Sequence, residues 1–217
     1  MPQTDASPPD LTLQPTRETY DALQQAYEHF NWALFDQRLP NCLITLQRRG
    51  RGFGFFAAGR LRRGDGARAD EIALNPARFR GQGDLATLAV LAHEMVHLWQ
   101  HHFGAPGRAR YHNAEWALQM RRIGLQPSHD GTPDGRSTGD VMHHLIVANG
   151  PFEAAARDLI ARGFEIVWQD GPTRPAAGGR GGRRSKFVCP VCGLAAWSRP
   201  GARLLCAAHR VEMTARV

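Results

Sequence analysis

Between residues 16 and 35, apolar side chains return at every third or fourth position: Tyr20, Leu23, Tyr27, Phe30 and Leu34. Residues at that spacing share one face of a helix, so "RETYDALQQAYEHFNWALF" is predicted to be an amphipathic helix capped by Thr16. The pattern then shortens. "CLITLQ" (42–47), "GFGFFAAGRL" (52–61) and "EIALN" (71–75) are brief β-branched or aromatic runs between Pro and Gly punctuation. They predict three strands of one small sheet, with the second at its edge near the chemistry. Asn75-Pro76 is a helix-start signal for a single turn, "PARF". "GDLATLAVLAHEMVHLWQHHFG" (83–104) predicts a long helix capped by Asp84 and stopped by Gly104. A further helix is expected over "NAEWALQMRRI" (113–123) with Asn113 as its cap. Next come a loop over "PSHDGTPDGRSTG" (127–139), an edge strand at "HHLIV" (143–147), and a helix over "FEAAARDLIARG" (152–163).

Residues 1–14 are Pro-rich and polar, which predicts a disordered tail. Residues 15–170 form the body. "GPTRPAAGGRGGRRS" (171–185) has the composition of a linker, and residues 186–217 form a small C-terminal unit. Neither a signal peptide nor a membrane span is expected, so the reading is a cytoplasmic, bacterial-looking protein, nucleoid association allowed, with no membrane partner and a monomeric state favoured.

Charge is unevenly placed. Residues 1–169 hold 18 Arg against 18 Asp plus Glu, whereas residues 170–217 hold nine basic and two acidic groups. The whole net charge of +7 therefore sits in the tail. A cationic, glycine-rich tail suits phosphate contacts, and Arg180, Arg183, Arg184 and Lys186 are candidate nucleic-acid-binding residues. A second basic cluster, Arg48, Arg49, Arg51, Arg60, Arg62, Arg63 and Arg68, surrounds the expected hairpin. Trp197 could stack on an unpaired base or serve the core of the small unit.

The long helix carries the chemistry. His93-Glu94-Met95-Val96-His97 fits H-E-x-x-H, in which two imidazoles one turn apart reach one zinc ion and the glutamate takes a proton from a zinc-activated water attacking a carbonyl. A helix that merely happened to carry these residues would bury three polar groups in need of partners. His101 lies on the same face but eight residues beyond His93, about 12 Å of rise, too far for the same ion. His102 points elsewhere. The third ligand must come from outside this helix. His112 leads and Glu115 follows, while His129, His143 and His144 more often play solvated or structural parts.

Two Cys-rich pairs mark the tail. Cys189-Pro-Val-Cys192 and Cys206-Ala-Ala-His209, thirteen residues apart, have the spacing of a closed tetrahedral zinc site.

The string "HEMVH", followed by "YHNAEW" and "IGL" and preceded by "FNWALFDQRLP", resembles the SprT-like family of zinc metallopeptidases, relatives of the DNA–protein crosslink protease Spartan. The likeness covers roughly residues 16–170 and continues into the tail. It implies an α+β, zincin-like metalloprotease domain followed by a zinc ribbon, with His93, His97 and His112 on a catalytic zinc and Glu94 as general base. Cys189, Cys192, Cys206 and His209 would hold a structural zinc, although the family commonly has a fourth cysteine where this chain has His209. Glu115 then becomes an outer partner holding a ligand histidine in its tautomer. Tyr111, next to a ligand, either donates to a developing oxyanion or packs beside the site. The implied activity is endopeptidase cleavage of DNA-associated proteins. The competing reading is a DNA-binding or transcription-associated zinc protein with little or no protease activity; the presence of Glu94, which such a remnant would not need, favours the enzyme.

Overall fold

The computed structural model describes residues 12–48, 52–79, 81–170 and 185–216. The chain divides into two compact units, residues 1–171 and 172–217, each with its own core. Most of the expected N-terminal tail and nearly all of the expected linker, Arg180, Arg183 and Arg184 included, lie outside the described residues, as do Arg49 and Arg51.

The larger unit is a mixture of four helices and two small sheets. Helix α1 spans Pro15–Phe35 and buries Leu23, Ala26, Tyr27, Phe30 and Leu34. Its start differs from the expectation. Proline takes the first helical position, where its missing N–H costs nothing, so Thr16 falls inside the first turn and Gln14 stands at the cap. The Gln14 backbone N–H donates to Glu18, and Tyr20 turns out to be exposed.

Strands β1 (Leu43–Leu46), β2 (Gly54–Arg62) and β3 (Arg68–Leu74) form one sheet in the order β1-β3-β2. The central strand β3 is parallel to β1 and antiparallel to β2. Its last residues are buried on both faces, as a covered central strand requires. It begins three residues before "EIALN", because Arg68 and Ala69 still pair with β2 beyond a bulge between Ala57 and Leu61. Gly59 lies in that bulge at φ +54°, and its N–H donates to Asp70 (2.6 Å). Strand β2 has one partner among the described residues and therefore leaves an edge. A 3₁₀ turn at Pro76–Arg78 follows, capped by the Asn75 side chain.

Helix α2, Gly83–Phe103, runs through the core, and every residue from Thr87 to Val96 is buried. Asp84 does not cap it. Gln82 holds that position, while the Asp84 carboxylate accepts the Ile166 N–H (3.4 Å). Helix α3, Ala114–Arg122, is capped by Asn113, whose side chain accepts the Trp116 N–H (3.0 Å). The chain then enters β4, Leu125–Ser128, which the loop expected from residue 127 did not allow for. β4 pairs antiparallel with β5, His143–Ile146, and Pro127 faces His144. Proline is tolerated there because a two-stranded sheet has edges on both sides. Helix α4, Pro151–Ala161, packs on α1 through Phe152 and Phe30, whose ring centroids lie 5.5 Å apart.

The smaller unit has a three-stranded antiparallel sheet, β6 (Ser185–Val188), β7 (Ala195–Ser198) and β10 (Thr214–Arg216), in the order β10-β6-β7. A short hairpin, β8 (Leu205–Cys206) and β9 (Val211–Glu212), completes it. Its core is Phe187, Cys189, Cys206 and Met213. So few apolar side chains rarely hold a fold of this size without a metal or cross-links. Among the described residues no helix is long and apolar enough to cross a membrane.

Candidate metal centre and active site

Helix periodicity places His93 and His97 on one face of α2, and the return of the chain through α3 brings a third histidine to them. His97 Nε2 and His112 Nε2 lie 3.1 Å apart, and the His93 ring centroid is 5.3 Å from that of His97 and 5.6 Å from that of His112. One nitrogen from each of the three falls within 4.8 Å of the others. Two imidazole nitrogens bound at about 2.05 Å to one tetrahedral ion must sit about 3.3 Å from each other, so the donor set and its spacing fit zinc. Burial strips water from these rings and disfavours their charged forms: His97 is pushed down to about 3, His93 well below the histidine range, and His112 in the same direction. Neutral imidazoles are the form that ligates.

The rings are held from behind. Trp116, fully buried, lies with its ring centroid 4.3 Å from that of His112, 5.0 Å from that of His93 and 5.4 Å from that of His97. His112 Nδ1 donates to the Gly139 carbonyl (3.0 Å), and the two residues also exchange backbone hydrogen bonds of 2.9 and 3.1 Å. His93 Nδ1 meets His144 Nδ1 at 3.1 Å.

Glu94 is buried beside this cluster, and burial pushes its carboxyl up to about 8. It lies against Gly54 at the start of the edge strand: a Cβ on Gly54 would stand 2.9 Å from Glu94 Oε1. A cavity of about 520 Å³ opens here. One wall is the run into β2 (Gly52 to Gly54), another is α2 (Ala86, Ala89, Val90, His93, Glu94), and a third is the segment from Asp140 to His144.

Glu115 has a different task from the one expected. Its Oε2 accepts from Gln100 Nε2 (2.8 Å) and from the Ala105 N–H (2.7 Å), tying the end of α2 to the start of α3. The carbonyl of Gly139 holds the tautomer of His112 instead. Tyr111 does not line the cavity; its ring stacks under the Arg108 guanidinium at 5.0 Å. His102 Nε2 bonds to Asp70 (2.7 Å) and His101 leans on Phe56 at 5.7 Å, so neither joins the three-histidine cluster. His144, expected to be solvated or structural, is in contact with a cluster histidine. Neither its part nor that of Gly54 had a local signal, because both depend on contacts across more than 35 residues of chain.

In the smaller unit, Cys189, Cys192, Cys206 and His209 converge, with Cys192 Sγ 3.9 Å from Cys206 Sγ and Cys206 Sγ 3.6 Å from His209 Nδ1. Ligands at about 2.3 Å (S) and 2.05 Å (N) on one tetrahedral ion would stand about 3.8 and 3.6 Å apart. The four side chains are compatible with zinc. Lys186 and Trp197 face each other across β6 and β7, with the Lys186 Nζ 5.7 Å from the ring centre. Trp197 is exposed and so is not part of that unit's core. Of the basic cluster around the hairpin, Arg48 pairs with Asp170, Arg60 with Glu71 and Arg63 with Asp65.

Residues 23–136, more than half of the chain and all of the three-histidine cluster, match the SprT-like family. The chain belongs to that family. It is also 52% identical over 59 residues to a protein of Salmonella typhimurium described as "Uncharacterized protein in mucB 3'region", a stretch covering 27% of this chain and 80% of that protein. No solved structure matches the chain. Membership of the SprT-like family together with the histidine cluster supports a metallopeptidase type of function.

Proposed function

We propose that this SprT-like chain is a zinc-dependent endopeptidase acting on DNA-associated proteins, with a zincin-like body and a C-terminal zinc ribbon. The observation that carries the reading is the meeting of His93, His97 and His112 with the buried carboxylate of Glu94 at one end of a cavity flanked by the sheet edge. His93, His97 and His112 would hold the zinc, which, when bound, acts as a Lewis acid on water and on the scissile carbonyl. Glu94 binds no metal. It takes the proton of the attacking water and returns it to the leaving amine, from a buried position in the cavity wall. The edge of β2 offers backbone N–H and C=O groups to an extended peptide, which would add as a strand with its carbonyl delivered to Glu94. Apolar walls from Ala89, Val90 and Met142 exclude water around the reacting bond.

Nucleic-acid contact is proposed for the tail. Lys186 and the exposed face of Trp197 combine a phosphate partner with a stacking surface, and Arg180, Arg183 and Arg184 add charge next to them in sequence. The second basic cluster contributes less, because three of its arginines already face carboxylates.

The test is digestion of casein or histones by the full chain, with and without single-stranded DNA, comparing wild type with Glu94→Gln. Loss of roughly 10²- to 10⁴-fold in rate at unchanged zinc content is expected for removal of a general base. Equal activity of the two proteins would overturn the assignment, and inactivity of both under all conditions would favour a DNA-binding protein without protease activity.

A further inference from the structure

We infer that His144 is a positioning residue: it turns the His93 ring so that the nitrogen left over faces the metal cluster, and it keeps its own second N–H for the substrate cavity. The inference rests on the zinc-peptidase reading.

The two Nδ1 atoms stand 3.1 Å apart, a hydrogen-bond distance. Two ring nitrogens at that separation bond only if one carries hydrogen and the other a lone pair. His93 Nδ1 is therefore occupied, and the nitrogen His93 can give to a metal is Nε2. A ligating imidazole is neutral and has its hydrogen on the nitrogen away from the metal, normally donated to an outer partner. So His93 Nδ1–H donates and His144 Nδ1 accepts. A neutral His144 that accepts at Nδ1 must carry its hydrogen on Nε2. Among the described residues no acceptor meets that Nε2, and the His144 ring lines the cavity beside Glu94. The remaining N–H is thus a donor available to a carbonyl oxygen of a peptide lying along β2.

The same logic is visible on the other side of the cluster. His112 donates its Nδ1–H to Gly139 O (3.0 Å), which leaves Nε2 facing His97. Gly139 and His144 lie on one stretch of chain, tied at one end by the two-way bridge between His112 and Gly139 and at the other by the pairing of β5 with β4. One segment therefore orients two of the three cluster histidines and also walls the cavity.

The experiment uses the full chain, with His144→Leu and His144→Gln. The zinc in question is identified as the ion lost on His97→Ala, and its affinity is read by competition with a chromophoric chelator. Leucine can accept nothing from Nδ1–H, and zinc affinity should fall by roughly 10- to 100-fold. Glutamine retains an accepting oxygen and should recover most of that loss. Nitrogen-edited NMR of the zinc-loaded wild type should place hydrogen on His93 Nδ1 and on His144 Nε2. With zinc saturating, kcat for casein peptides should fall in His144→Leu more than KM rises. Undiminished zinc affinity in His144→Leu, or hydrogen on His144 Nδ1, overturns the inference while leaving the peptidase reading in place. Should His144→Leu fail to fold, the glutamine variant and the tautomer measurement decide. A wild type that binds no zinc at the histidines would remove both readings together.

Discussion

Gly54 is the position where a single methyl group should separate the geometry of the base from the fold around it. A Cβ there would lie 2.8 Å from the Ala73 carbonyl oxygen, 2.9 Å from Glu94 Oε1 and 3.2 Å from Glu94 Cγ. Heavy atoms in contact settle near 3.5 Å, so the two nearest neighbours must give by about 0.6–0.7 Å. The Ala73 oxygen belongs to the central strand and has little freedom, so the start of β2 must draw back from it while the Glu94 side chain turns away. Overpacking of this size costs about 1–3 kcal/mol, a fall in Tm of roughly 2–12 °C for a unit of this length. The displaced carboxylate matters more for turnover, since misplacement on the order of 1 Å can cost about 10²-fold. Gly54→Ala should therefore lower kcat by roughly 10- to 100-fold, with zinc content unchanged and Tm reduced by a few degrees. Gly64→Ala is the control: nothing stands within 4 Å of its Cβ and it does not line the cavity, so activity should stay near wild type. The assay is peptide hydrolysis with zinc analysis and thermal melting on the three proteins. Wild-type kcat in Gly54→Ala would refute the contact between strand edge and base.

Cys42 is packed against Tyr27, and burial pushes its thiol up to about 12 and the Tyr27 phenol up as well. Both groups are held neutral by the fold, so their contribution to stability is complete below pH about 9 and is lost as the pH rises from there toward 12; an alkaline unfolding titration and peptide-mapped alkylation of Cys42, slow in the native protein at pH 9 and fast in guanidinium, check this. Glu115→Ala should keep the histidine-cluster zinc but lose only about 0.5–1.5 kcal/mol in denaturant unfolding, because the Gln100 amide keeps Asn113 Oδ1 as a partner and the exposed Ala105 N–H turns to water; His112→Ala should lose the ion, and the reverse pattern by metal analysis would exchange their roles. Removing residues 171–217 should leave a folded, zinc-binding body that has lost most of its affinity for single-stranded DNA, and Trp197→Ala alone should cost about 1–3 kcal/mol of binding; an unchanged salt slope in the truncated protein would show that the tail is not the anchor.

Some of this was legible in the chain alone because it is governed by local periodicity. Helical spacing puts His93 and His97 on one face whatever surrounds them, and the pairs beginning at Cys189 and Cys206 present themselves through two residues of separation within each pair. The strands around Ile44, Phe56 and Ile72 and the cap at Asn113 are equally local, set by side-chain branching and by the preference of Asn for a helix start. Thr16 and Asp84 misled for the same reason: good cap chemistry lay one or two residues inside a start that Pro15 and the loop before Gly83 had already determined. Other features were settled only by packing. Seating Trp116 in the core carries His112 to His97 and frees Glu115 to tie two helix ends together. The contacts of Gly54 with Glu94, of Gly139 with His112 and of His144 with His93 join residues 27 to 51 positions apart. No pattern along the chain encodes such meetings, since their position follows from how the buried faces of α2, α3 and the two sheets fill one core without voids.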